Sequence, residues 1–180
     1  HNPERRGVGK IYTPFDVTEY MCKYSVKKLM SRVNGVDELF ALRVLDPAVG
    51  SGAFCSQFIR CLWKSASRKW KLKDEKEFKI RVCEEMIHAC DIDQQALDLA
   101  RIVLWISAGC PSEELKLNFS LCDSLNSGPC TNIKDWREHT GLEIDNGYDL
   151  VIGNPPYVMI KSENYSEFKT NNSRNLYCLF

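Results

Sequence analysis

Four times along the chain a short apolar run stops at a polar or glycine-containing loop, and helical periodicity fills the stretches between. Leu42 to Leu45 stops at Asp46-Pro47, and about Met86 to Cys90 stops at Asp91-Ile92-Asp93. Leu115 to Leu121 stops near Asp123, and Tyr148 to Ile152 stops at Gly153-Asn154. Short apolar strands alternating with helices specify a parallel sheet with crossover connections, an α/β fold. In open sheets of this kind ligands bind outside the carboxyl ends of the strands, and the unusual residues of this chain gather at those ends. A length of 180 residues with 44% hydrophobic side chains is ample for one buried core. We expect an N-terminal helical segment, 1–35, ahead of a sheet-forming core, 36–180.

The helices are legible from spacing. Asp16-Val17-Thr18-Glu19 resembles a capping box, and Val17, Tyr20, Met21 and Tyr24 repeat at helical intervals, predicting a helix to about Met30. After the glycine loop at 48–52, Phe54, Phe58 and Leu62 share one helical face; further on, Leu97, Ala100, Leu104 and Ala108 do the same. The lysine-rich stretch Lys64 to Arg81 predicts an extra helix; its charges could touch phosphate, but Asp74, Glu75 and Glu77 interleave with them and favour a solvated face. A loop rich in Ser, Gly, Pro and Asn runs through Trp136. The chain ends in a polar stretch, Lys161 to Arg174, and in Asn175 to Phe180, which reads as a helical first turn.

Composition narrows the function. With 24 basic and 24 acidic side chains the chain is formally neutral, so charge offers no support for a nucleic-acid partner held by phosphate neutralisation. Nine cysteines, none spaced as Cys-x-x-Cys, fit a closed disulfide framework poorly and read as reduced, structural thiols of an intracellular protein. His1, His88 and His139 lack metal-ligand spacing, and no bound metal is expected. No apolar stretch approaches the roughly 20 residues that span a bilayer, and the first residues lack the apolar core of a signal peptide. The expectation is a soluble, cytoplasmic protein with no membrane partner.

The strand ends carry the chemistry. Within Asp46-Pro47-Ala48-Val49-Gly50-Ser51-Gly52 the glycines allow a tight turn and close approach to a ligand, while the following helix offers free N–H donors. A plain strand–helix turn would explain the same pattern. The Asp46 carboxylate would attract an ammonium and repel a phosphate, which favours S-adenosylmethionine (SAM) over a dinucleotide. Asp91 is placed to accept ribose hydroxyls, with Asp93 as the helix N-cap and Ile92 between them against an adenine ring. Asp123 ends the third run, where its carboxylate can accept from an adenine amino group; a turn residue is the alternative. In Asn154-Pro155-Pro156-Tyr157 two prolines fix the backbone and remove two N–H donors. The Asn154 side chain and the Pro155 carbonyl can then hold the two hydrogens of an amino group, while Tyr157 stacks on its ring.

These motifs together resemble the gamma class of amino-methyltransferases, found in type I modification subunits and fused type II restriction–modification enzymes. Lys10-Ile11-Tyr12-Thr13-Pro14 is similar to that family's N-terminal cofactor motif, and its position ahead of the glycine loop marks the class. Asp46 to Phe54, Asp91-Ile92-Asp93 with Leu104-Trp105, Asp123 and Asn154 to Tyr157 follow in the family's order, and Asn175 to Phe180 resembles the next motif. The resemblance implies a Rossmann-like SAM-dependent fold and transfer of the SAM methyl to adenine N6 in DNA. It further implies that Tyr12, Thr13 and Pro14 contribute to the cofactor site, with Thr13 at the methionine carboxylate. Asp46, Pro47, Ala48, Gly50 and Gly52 would hold the amino-acid end, Asp91 the ribose, and Ile92 and Asp123 the adenine. The target adenine would be flipped out of duplex DNA, its N6 attacking the sulfonium methyl from between Asn154 and Tyr157.

Two features depart from the family pattern. Asp46 and Asp91 are 45 positions apart, against roughly 20 in a compact dinucleotide fold. The family also continues into further strands and a target-recognition region, or works with a specificity subunit or fused nuclease. We therefore expect an N-terminal part of such an enzyme, with the fourth strand's outer flank unpaired. The Asn-Pro-Pro-Tyr motif also serves methyltransferases of RNA bases and of release-factor glutamine, and a non-catalytic SAM-binding fragment is a third reading.

Overall fold

The computed structural model describes residues 13–124 and 147–156. Tyr12, Tyr157, Cys130, Cys178, the loop through Trp136 and everything beyond Pro156 lie outside them. In chain order the elements are α1 (Phe15–Met30), α2 (Val36–Phe40), β1 (Val44–Asp46), α3 (Ala53–Trp70), α4 (Glu75–Arg81), a π-helical turn (Val82–Met86), β2 (Ile87–Asp91), α5 (Gln94–Ser107), β3 (Asn118–Leu121) and β4 (Leu150–Val151). The strands form one sheet in the order β3-β2-β1-β4, and every neighbouring pair is parallel. All four expected strands are present; β1, β3 and β4 are shorter than their apolar runs, and β2 keeps its length one residue further along. The register sets Val44 beside Ile87 and Leu150, and His88 beside Asn118. Among the described residues β3 and β4 are the sheet edges, and β4 pairs only with β1.

The core lies where the sequence periodicity places it for α3 and α5. Phe54, Phe58 and Leu62 are buried, as are Leu97, Ala100, Leu104 and Ala108. Helix α1 ends at Met30 as its spacing predicts, and it corrects one expectation. Its N-cap is Pro14 rather than Asp16, no side chain caps it, and the Thr18 hydroxyl donates instead to the Pro14 carbonyl (3.1 Å). Of the residues whose spacing predicts the helix, Val17, Tyr20 and Tyr24 are exposed and Met21 packs against the core, while Thr18, Cys22, Val26, Leu29 and Met30 are buried. The small side chains at 18 and 22 permit close packing against α3, and the Cys22 thiol reaches the Phe54 carbonyl at 3.6 Å.

The lysine-rich stretch resolves into three parts. α3 runs on to Trp70, Lys71 turns the chain in the left-handed conformation (φ 58°), and Asp74 caps α4 by accepting from the Glu77 N–H. Phe78 anchors α4 against Phe40 and Trp63. Not all of this segment's charge is solvated. The Lys69 ammonium donates to the Met30 and Val33 carbonyls (2.9 and 2.8 Å), satisfying the C-terminal end of α1. The described cysteines carry free thiols, and burial pushes those of Cys22 and Cys83 up to about 12, so they stay neutral. No helix among the described residues is long and apolar enough to cross a membrane, and no cluster of three metal-ligating side chains occurs among them.

Candidate active site

Because all four strands are parallel, their carboxyl ends share one edge of the sheet. Following the strand order across that edge gives Asp123, Asp91, Asp46 and Asn154. Four residues scattered over 109 positions thereby become one row.

The glycine loop is held by the neighbouring strands. Asp91 accepts from the Gly50 N–H through one carboxylate oxygen (2.8 Å) and from the Asp93 N–H through the other (3.0 Å). Asp93 in turn caps α5, accepting from the Gln95 N–H at 2.9 Å, as its position predicts. The Val49 N–H donates to the Cys90 carbonyl, and the Pro47 carbonyl accepts from the Ser124 hydroxyl at 3.0 Å. Both loop glycines take positive φ, 52° at Gly50 and 78° at Gly52, which side-chain-bearing residues seldom adopt. Space above Gly50 is open, whereas a Cβ on Gly52 would lie 3.2 Å from the Ala100 Cα, so α3 and α5 approach closely there. Ile92 projects from the end of β2 with 71% exposure, a free apolar platform beside Asp91.

Asp46 is the outlier of the row. It is 2% exposed, no cation pairs with it among the described residues, and one oxygen accepts from the Ala48 N–H (3.2 Å). Burial pushes its carboxyl up to about 7; the Ala48 N–H opposes the shift and the Asp91 carboxylate adds to it. The same oxygen faces Gly153, where an added Cβ would sit 2.5 Å from the Asp46 Oδ1 and 3.5 Å from the Pro47 Cδ. Here the constraint is space. Sequence reading treats Gly153 as the end of a strand; its role appears only when a partner 107 positions away is brought against it. Gly153→Ala is expected to cost about 1–3 kcal/mol by overpacking this buried contact. An unchanged midpoint of thermal unfolding would mean that Asp46 has room to yield.

The motif that begins at Asn154 meets the N-terminal Thr13 directly. The Asn154 Nδ2 donates to the Thr13 Oγ1 at 2.9 Å, closing a separation of 141 residues. Asn154, Pro155 and Pro156 are half-buried. Thr13, Asp46, Pro47, Ala48, Gly50, Gly52, Asp91 and Asn154 are thus joined by contacts, while Ile92 and Asp123 stand at the same edge. Ser124 and Gly153 belong to the assembly and carry no motif of their own.

The sequence profile of the Eco57I restriction-modification methylases matches residues 85–180, more than half of the chain. The protein belongs to that family. The matched stretch includes Asp91, Asp123 and Asn154 to Tyr157; the glycine loop lies outside it and is tied to it by the Gly50–Asp91 and Pro47–Ser124 hydrogen bonds. A protein of Methanocaldococcus jannaschii named as a putative type II restriction enzyme and methyltransferase is 24% identical, over 57% of this chain and 12% of its own length. Among solved structures, the ATP-dependent Type ISP restriction-modification enzyme LlaBIII bound to DNA is similar, with a TM-score of 0.63 at 18% identity, covering 88% of this chain and 11% of that one. The DrdV–DNA complex is also similar, with a TM-score of 0.57 at 20% identity, over 87% of this chain and 15% of that one. The fold is therefore shared with restriction–modification enzymes, of which this chain spans a small part.

Proposed function

We propose that the row of strand-end residues is the SAM-binding and catalytic edge of a DNA adenine-N6 methyltransferase, and that the sheet is its Rossmann-like core. The observation that carries the reading is the order along the sheet. Asp123, Asp91 and Asp46 stand in the order adenine, ribose and amino-acid end, the order of those groups along SAM, and Asn154 follows on the next strand as the group that would hold the methyl acceptor. Two inter-strand spacings of ~4.8 Å set the three acids across about 10 Å, on the scale of a nucleoside joined to an amino acid.

The donor set suits SAM. A buried carboxyl without a cation beside a glycine loop with open space above it is a seat for an ammonium group. Asp91 accepts from the Gly50 N–H of the loop and from the Asp93 N–H, and has lone pairs left for ribose hydroxyls. Ile92 would cover one face of the adenine, and Asp123 would accept from its amino group. When bound, SAM supplies an electrophilic methyl group on a sulfonium. Thr13 would serve two groups with one hydroxyl, since it accepts from Asn154 and keeps its own hydrogen for the methionine carboxylate. The Asn154 amide, pinned through its nitrogen, leaves its carbonyl to accept from the adenine N6 amino group, with the Pro155 carbonyl as second acceptor and Tyr12 and Tyr157 completing the two motifs. The substrate would be an adenine flipped from duplex DNA, and its selection would fall to a recognition region, specificity subunit or fused nuclease partner of the kind that accompanies such enzymes.

The test is tritiated-methyl transfer from SAM to duplex DNA, RNA and release factor in parallel. Label on adenine N6 of DNA is expected; label on release factor or RNA alone would overturn the substrate assignment.

Asp46 makes cofactor binding pH-dependent. An ammonium ligand binds the ionised carboxylate, so SAM affinity is expected to fall as pH drops through about 7, by up to about tenfold per unit. Above about pH 8 the ligand's own amino group loses its charge, placing the optimum between the two values. The ligand-free protein behaves oppositely. With its pKa raised from 3.8 to about 7, the folded state holds an extra proton between those values, and stability falls as pH rises through that window. Asp46→Asn should weaken binding and flatten both profiles; calorimetry across pH showing the same slope in the variant would remove Asp46 from the site.

A further inference from the structure

The formally neutral chain is not neutral in space. Residues 20–73 hold 11 basic side chains and three acidic ones, and one of those three, Asp46, is buried; the remainder of the chain holds 13 basic and 21 acidic side chains. The basic segment includes most of α1 and all of α3, which pack against each other. Between them lies a groove of about 360 Å³ lined by Lys23 of α1 and by Cys61, Lys64, Ser65 and Arg68 of α3. Positions 61, 64, 65 and 68 follow helical spacing, so one face of α3 presents two cations and a hydroxyl to this groove.

No carboxylate lines the groove. Lys64 and Arg68 are exposed and pair with no acid among the described residues. α1 carries two acids, Asp16 in its first turn and Glu19, which is engaged by Lys23 (3.1 Å) and Arg60 (3.2 Å), three charges that sum to one positive. Burial raises the Cys61 thiol above its ordinary range, so it adds no negative charge. Ammonium, guanidinium and hydroxyl donors without an aromatic side chain are the set that contacts phosphate and sugar rather than bases.

We propose that the α1–α3 groove is a sequence-independent docking surface for the phosphate backbone of duplex DNA, separate from the row of catalytic residues. It rests on the DNA reading above only for the choice of polyanion, because a groove of this charge binds phosphate whether or not methyl transfer occurs. Cations here would hold the duplex on the protein without contributing to the choice of target base.

Fluorescence anisotropy of a labelled duplex, measured without SAM over a range of salt, tests this independently of catalysis. The slope of log affinity against log salt should become shallower by about 0.9 for each phosphate that is no longer neutralised, hence by about 2 in Lys64→Ala/Arg68→Ala, equally on unrelated sequences. Lys116→Ala, outside the groove, should keep the wild-type slope. Both groove residues are exposed, and a wild-type thermal midpoint in the double variant would certify its fold; Lys64→Glu gives a second, stronger perturbation at one site. An unchanged slope in the folded double variant, absence of salt-dependent DNA binding by the wild type, or displacement of DNA by polyglutamate at equal charge concentration would each overturn the proposal. Absence of methyl transfer with the slope change intact would fault the catalytic reading and leave the groove standing.

Discussion

Replacing Asn154 with alanine is expected to lower methyl transfer by about 10³-fold while leaving SAM affinity within a few-fold of wild type. The magnitude follows from losing a preorganised polar group aimed at the reacting atom, an effect of about 10²- to 10³-fold in comparable sites, together with the loss of amino-group orientation. Asn154 can act in this way because its amide is not free to rotate. Its nitrogen is bonded to Thr13, which leaves the carbonyl as the acceptor for substrate. Thr13→Val removes that anchor and the proposed donor to the methionine carboxylate together, so it should reduce both turnover and SAM affinity, whereas Thr13→Ser should restore both. Single-turnover transfer and calorimetry on the same samples separate the two effects. Retained turnover in Asn154→Ala would remove this residue from the chemistry.

The second large effect falls on Asp91. Alanine there deprives the Gly50 and Asp93 N–H groups of their acceptor and removes the proposed ribose contact in one step. Hydrogen bonds to a charged group contribute roughly 1.5–3 kcal/mol each, so removing the loop-ordering bond and the ribose bond together should weaken SAM binding by about 10²-fold or more. Asp91→Asn keeps one acceptor oxygen and should fall between. Equal calorimetric affinities for wild type and Asp91→Ala would contradict the cofactor map from Gly50 to Ile92.

What can be seen in the sequence divides along a physical line. Strand ends are legible because they are written locally: an apolar run, then an acid or a glycine. The parallel sheet follows from their alternation with helices, and the Asp93 cap from its immediate neighbours. Helix α1 misleads because it carries two competing faces. Val17, Tyr20 and Tyr24 repeat at helical spacing on one face, but the face with Val26, Leu29 and the smaller Thr18 and Cys22 fits closely against α3, and packing follows fit. Its capping box fails for a similar reason, since Pro14 already fixes the helix entry. Contacts that depend on distant partners leave no local trace. Gly153 reads as an ordinary strand end until Asp46 is set against it, and Ser124 is one polar residue among many until the Pro47 carbonyl is above it. Net charge hides the basic α1–α3 face because a sum over the chain erases its distribution.

The strand order also has a bearing on how the protein is made. β1 pairs on one side with β2 and on the other with β4, and β4 lies about a hundred residues downstream. At a synthesis rate of roughly 5–20 residues per second, the β4-facing side of β1 waits on the order of 5–20 s on the ribosome before its partner exists. During that interval Val44 and Leu45, buried in the finished sheet, present an open edge to any passing strand. Only when β4 arrives does Gly153 reach Asp46 and Asn154 reach Thr13, so the emerging polypeptide has no assembled row at the sheet edge until its last described strand is in place.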